Sequence, residues 1–148
     1  MIYSVNNLEI IDREVSFSKL KGQVLKSVFH LMNDRESVFR EELDGICLVT
    51  DTKFYFMYHQ QNCCESVELI DGFEDIKSIC GAEVLQADYE ENQSSDREND
   101  RRNTWTFYKI ATSKGYATLR WYGESNGHYS ESVDFSEIKP IAIPTDIV

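Results

Sequence analysis

Alternation of apolar and polar positions is clearest in the last third of the chain. Residues 104–112 and 116–122 are rich in aromatic and β-branched side chains and flank Ser113-Lys114-Gly115, which predicts an antiparallel hairpin. A two-residue loop at Lys114-Gly115 sets Lys109 opposite Arg120, a destabilising like-charge pair. A three-residue loop with Gly115 left-handed instead gathers Trp105, Phe107, Ala111, Ala117, Leu119 and Trp121 on one face, and this is the expected register. A second three-residue loop, Ser125-Asn126-Gly127, brings Tyr129, Val133 and Phe135 onto the same face and turns Glu131 inward beside Trp121. The reverse face then carries Tyr108, Thr118, Arg120, Tyr122, Glu124, His128, Ser130, Ser132 and Asp134.

Upstream, residues 46–50 and 53–59 form a hairpin about Asp51-Thr52. Cys47, Val49, Phe54 and Phe56 occupy one face, Ile46, Leu48, Tyr55 and Met57 the other. A pair apolar on both faces belongs in the middle of a sheet covered on both sides. Residues 71–81 predict a short helix, with Asp71 as cap, acids in the first turn, Phe73, Ile76 and Cys80 on one face and Gly81 as stop. Residues 82–87 return as a strand. Leu20, Val24, Val28 and Leu31 fit a helical stripe, but Gly22 weakens it, and 24–32 reads equally as a strand after a short helical turn. Residues 88–103 hold six acids and three arginines with Tyr89 as their one large apolar side chain, which predicts a mobile acidic surface loop. The tail 139–148, with Pro140 and Pro144, is expected to be extended and partly frayed. These elements predict a single α+β domain over 1–148, dominated by an antiparallel sheet, with one or two short helices packed on the Trp105/Phe107/Leu119/Trp121 face.

Composition then narrows the function. The chain has 148 residues, 15 Lys plus Arg against 26 Asp plus Glu, and a formal net charge of −11. With 41% hydrophobic residues it has the apolar material for one buried core. The acidic balance argues against binding a nucleic-acid backbone or an anionic membrane, both of which need clustered Lys and Arg. No apolar run approaches the ~20 residues of a spanning helix, and residues 1–10 lack the features of a signal peptide. A cytoplasmic protein with reduced cysteines is expected on these grounds.

Candidate chemistry concentrates in 57–67, MYHQQNCCESV. Cys47, His59, Cys63, Cys64 and Cys80 are residue types that zinc prefers, although no C-x-x-C or H-x-x-x-H spacing occurs. A cysteine nucleophile with His59 as base is the other reactive reading, opposed by Glu65 beside the thiols. The plainer reading makes Cys47 and Cys80 core residues and leaves His59, Gln60 and Asn62 to satisfy backbone groups where strand becomes loop. His128, Ser130, Ser132 and Asp134 suggest a hydrolase only superficially, because alternation along one strand sets them in a row without a converging base or oxyanion donors. Arg120 among tyrosines and hydroxyls has the character of a binding anchor, or else pairs with Glu124 and covers a tyrosine. The expected binding residues are Tyr58, His59, Gln60, Tyr108, Arg120, Tyr122, Glu124, Asn126, His128 and Ser130. No catalytic set, cofactor or metal is expected.

The segments MYHQQNCCESV at 57–67 and TWTFYKIATSKGYATLRWYGESNGHYSESVDF at 104–135 resemble an uncharacterised domain-of-unknown-function family of bacteriophages and bacteria, whose members show MYHxQxCCESV-like and TWTFYK…RWYGESNGxYSESVDF-like blocks. The resemblance spans about residues 43–135. It implies a phage or bacterial cytoplasmic accessory protein, located in the host cytoplasm if phage-encoded, whose two blocks share a surface. The leading expectation is a non-enzymatic module that engages a protein partner through the Tyr/Arg/His face. The alternative is a binder of a small polar ligand, a nucleotide or other anion, anchored by Arg120.

Overall fold

The computed structural model describes residues 2–5, 8–33, 43–96 and 98–143. Its strands are β1 (Ile2–Val5), β2 (Ile10–Asp12), β3 (Val24–Asn33), β4 (Leu43–Thr50), β5 (Phe54–Tyr58), β6 (Ser66–Asp71), β7 (Ala82–Asp96), β8 (Arg101–Thr112), β9 (Gly115–Ser125) and β10 (Asp134–Ile138). A 3-10 turn, Phe17–Leu20, precedes β3, and one short helix, α1 (Phe73–Ser78), follows β6. The strands join in the order β2-β10-β5-β4-β3-β7-β8-β9-β6, with β1 parallel to β3. The fold is therefore mostly β, a correction to the α+β expectation: α1 and the 3-10 turn are minor elements.

The two halves of this sheet meet where Val24 and Leu25 of β3 pair with Glu83 and Ala82 of β7. Across that narrow join the halves face one another. Ile46, Leu48, Tyr55 and Met57 of one half share a core with Tyr108, Ile110, Leu119 and Trp121 of the other. Trp121 donates from Nε1 to the Met57 sulfur at 3.2 Å. Phe17 and Leu20 of the 3-10 turn and Ile76 and Ile79 of the α1 region fill the same core. A second core on the far side of β3, β4 and β5 joins Phe29, Leu31, Cys47, Val49 and Phe56, against which Tyr3, Val5, Ile10, Ile141 and Ile143 pack. The two apolar faces expected of the β4–β5 hairpin are these two cores, and the turn at Asp51-Thr52 has the expected register, Val49 opposite Phe54.

Two β-bulges explain patterns that periodicity obscured. The register of β3 shifts between Leu25 and Ser27, so Leu25 and Val28, three residues apart, face the same core while Phe29 and Leu31 face the other. That shift produced the helix-like spacing of 20–31; the segment is a short helical turn and then a strand. A second bulge between Val84 and Gln86 likewise puts Val84 and Ala87 on one face.

Several expectations fail. Residues 88–96 and 101–103 are strand rather than loop: they lie in the paired arms of β7 and β8, which run from Asp88↔Lys109 to Asp96↔Arg101. Polar composition hid them because from Asp88 onward β7 is a solvent-facing edge whose side chains are exposed. The β8–β9 turn is the two-residue Ser113-Lys114, with Thr112 opposite Gly115 and Phe107 opposite Arg120. It too separates Lys109 from Arg120, and it buries Thr104, Thr106, Tyr108 and Ile110 of β8 with Ala117, Leu119 and Trp121 of β9. Trp105 and Phe107 consequently face outward, and α1 packs against β9 and, through Phe73 on His30, against β3. β10 does not continue the meander: β9 pairs with β6, and β10 crosses to lie between β5 and β2. Glu131 is inside, as expected, though on a crossover loop rather than a strand. Asp71 belongs to β6 and leaves α1 without a side-chain cap. Residues 139–143 form no regular element, with Ile141 and Ile143 packed on the second core; the remainder of the predicted tail lies outside the described residues. No described helix is long and apolar enough to cross a membrane.

Candidate functional site

The outer face of β7, β8, β9 and β6 points away from the core. Register sets Glu90 beside Phe107, Asn92 beside Trp105, Phe107 beside Arg120, Trp105 beside Tyr122, and Tyr122 beside Glu68. Trp105 and Phe107 lie nearly parallel at 6.2 Å between ring centroids, and the Tyr122 ring tilts against Trp105 at 4.7 Å. The Arg120 guanidinium stands 6.0 Å from the Trp105 centroid, within cation–π range. Asp71 on β6 holds that guanidinium through both carboxylate oxygens, including Nε to Oδ1 at 2.7 Å. Tyr122 donates its hydroxyl to Glu124 at 2.7 Å. Trp105, Phe107 and Tyr122 are half-buried and Arg120 and Glu124 exposed, so the patch is both ordered and open to a partner.

Hydrogen bonding from Arg120 keeps the Asp71 carboxyl below its ordinary range, and Arg120 is shifted up by the same bond. The Arg120 charge is thus already balanced, by Asp71 rather than by the Glu124 that sequence offered. Around the aromatic centre, Asp71, Glu68, Glu124 and Glu90 form an acidic rim that Lys109 meets at Glu90.

Behind this face, two buried carboxylates pin the crossover loop between β9 and β10. Glu131 accepts from Arg102 Nε at 2.9 Å, from the Thr104 hydroxyl at 2.7 Å and from the Ser125 hydroxyl, while Arg102 also donates to the Tyr129 carbonyl at 2.7 Å. Glu65 accepts the amide of Cys63 at 2.8 Å and shares a 3.0 Å contact with His59 Nε2. His59 Nδ1 lies 2.7 Å from the Ser132 carbonyl, so both ring nitrogens face acceptors. Burial alone would raise both glutamates. The bonds each accepts outweigh it and hold both below the ordinary value of 4.5. Through these contacts the 57–67 and 104–135 blocks are bound together.

The expected site residues divide accordingly. Arg120, Tyr122 and Glu124 lie on one open face. Tyr58 is core, stacked on Phe56 at 4.7 Å, and Tyr108 is buried against Phe17; neither is on the surface. His59 is buried, held by Glu65 and the Ser132 carbonyl, and stands apart from Arg120 among the described residues. Gln60 is exposed and gives its amide to Asp134. Asn126, His128 and Ser130 are exposed on the crossover loop rather than a strand, as is the Ser130–Ser132 hydroxyl pair. Trp105 and Phe107 were missed. Their size argued for the core, and the signal that reveals them is the alternative two-residue turn at Ser113-Lys114.

The reactive readings lose their geometry. Cys47 and Cys80 point into different cores, Cys63 and Cys64 are bonded to each other rather than reduced, and His59 is committed to Glu65. Burial pushes the Cys47 thiol up, and the Cys80 thiol up to about 11. Among the described residues no three His, Cys, Asp or Glu side chains are arranged to hold a metal.

A concavity adjoins the outer face. A groove of about 600 Å³ runs between the β7–β8 turn and the ends of β9 and β6, lined by Ser66, Ser94, Asn103, Arg101, Glu124 and Asn126 among others.

Residues 13–135 match the family described as domain of unknown function (DUF7448), and the chain belongs to that family. No curated protein and no solved structure matches it.

Proposed function

We propose that this protein is a non-enzymatic binding module whose outer sheet face engages a protein partner. The observation behind this reading is the cluster of Trp105, Tyr122 and Arg120, the side chains that most often dominate interface energetics, held in fixed geometry on an open face. The acidic rim favours a basic partner surface, as does the net charge of −11. Work in the cytoplasm as an accessory protein of a phage or bacterium fits the family resemblance and completes the proposal. The test is affinity capture from bacterial lysate with the wild-type chain and a Trp105→Ala, Tyr122→Ala variant. A partner bound through this face should lose at least about 30-fold in affinity, the equivalent of ~2 kcal/mol at a hot spot. An unchanged partner set with the variant folded would refute the assignment.

A second reading is supported by the groove beside Glu124 and Asn126, whose hydroxyls, amides and arginines suit a small polar ligand. Thermal shift against nucleotides and other small anions separates the two, since a ligand of the folded state raises its midpoint by mass action.

A further inference from the structure

The free edge of β7 carries a second feature, which shares Glu90 with the rim of the outer face. Val84 exchanges backbone hydrogen bonds with Gly22 and Gln23, and the bulge after it ends that pairing. From 85 to 96, β7 pairs with β8 on one side and, among the described residues, with no strand on the other, where the 3-10 turn Phe17–Leu20 packs against it. A strand edge of this length presents a row of backbone donors and acceptors that can template another chain.

Two observations specify what would fit. First, the edge is acidic. Asp88, Glu91 and Asp96 are exposed along it, with Glu90, paired to Lys109 on the outer face, beside them. Two copies aligned edge to edge would bring these carboxylates together, so the edge rejects itself and favours a strand bearing Lys or Arg. Second, a pocket of about 350 Å³ lies beside the edge on its inner side, lined by Tyr89, Tyr108, Phe17, Val15, Val133 and Phe135 among others. Tyr89, 56% exposed and stacked on Tyr108 at 5.4 Å, forms the wall nearest the edge. An added strand lies about 4.8 Å from its neighbour and sends alternate side chains to each face, so one of them would enter this pocket.

We propose that residues 85–96 of β7 form a β-augmentation site for an extended, Lys/Arg-rich segment of a partner protein, with an apolar side chain of that segment seated against Tyr89 and Tyr108. Backbone pairing supplies the register, the acidic edge selects charge, and the pocket selects the apolar residue.

The probe is a synthetic Lys-Val-Lys-Leu-Lys-Val-Lys peptide, with binding followed by fluorescence anisotropy and located by amide hydrogen exchange. Saturable binding with added protection confined to 85–96 is expected. A peptide with Glu in place of every Lys, or one N-methylated at alternate residues, should bind at least tenfold more weakly. Tyr89→Ala and Asp88→Lys, Glu91→Lys should each weaken the Lys peptide by a similar factor; these side chains are exposed, so the fold should survive. Absence of binding at millimolar peptide, protection elsewhere, or equal affinity for the N-methylated peptide would overturn the proposal. Trp105→Ala, Tyr122→Ala should leave this binding intact, so failure here and failure of the outer-face reading are distinguishable.

Discussion

Glu131 has large structural consequence within the 104–135 block, because one buried carboxylate closes a loop over the sheet. Its partners Thr104 and Ser125 are buried and Arg102 is half-buried, so its removal strands polar groups away from water. Glu131→Ala should lower unfolding free energy by roughly 3–5 kcal/mol, the usual cost of breaking a buried pair on one side, measured by urea denaturation. The pH dependence has a fixed sign. A glutamate held below its unfolded value of 4.5 contributes stability above that value and loses it as pH falls through the folded one. Glu131→Gln should therefore flatten the acid limb of the stability curve below about pH 4.5 while costing less than Glu131→Ala at pH 7. An acid limb as steep as that of the wild type would remove Glu131 from this role. The inward glutamate was expected from a strand alternation that the crossover loop does not have, and its partners left no local trace, since nothing in the spacing says that Arg102 and Thr104 lie beneath a loop 27 residues or more away.

At the scale of elements, legibility followed how strongly each segment's faces differ. The β4–β5 hairpin was readable in full because both faces are apolar and one turn satisfies both. The β8–β9 hairpin misled because its outer face holds Trp105 and Phe107 while its inner face holds buried threonines, so apolar size pointed the wrong way. In β3 a bulge imitated a helical repeat. Strand partners across the join and beside β6 left no local trace, and the site was read only where it depends on single residues of β9. The connection from β6 to α1 is tied to β9 by Gly72, at φ 103°, where an added Cβ would come within 2.0 Å of the Thr118 carbonyl oxygen. Gly22 shares the positive φ, at 90°, with nothing within 4 Å of its Cβ position. Gly72→Ala should thus cost more than Gly22→Ala. The latter should lose about 1 kcal/mol for backbone conformation, and the former at least about 2 kcal/mol, a drop of some 4–8 °C in Tm. Equal shifts by thermal circular dichroism would mean that α1 is free to move off β9.

For the whole molecule, the two kinds of charge should separate experimentally. The net charge of −11 is spread over solvent-facing acids, whose mutual repulsion is long-ranged and screened by salt. Glu65 and Glu131 are buried with their partners at hydrogen-bond distance, where screening is weak. Acidification from pH 8 first removes repulsion as the molecule approaches its isoelectric point near 4.6, and then, below the ordinary glutamate value of 4.5, protonates the two anchoring carboxylates. Stability should therefore rise gently to a maximum between about pH 5 and 6 and fall steeply below it. Raising NaCl from about 10 mM to about 150 mM, which shortens the screening length from roughly 30 Å to 8 Å, should lift the neutral limb by a few degrees and leave the acid limb in place. Calorimetric midpoints across pH at the two salt concentrations decide it. A neutral limb indifferent to salt would show that the surface acids are individually compensated, and an acid limb that shifts with salt would show that Glu65 and Glu131 are reached by solvent. Either result would also bear on binding, because a basic partner gains from the surface acids only while their repulsion stands unrelieved.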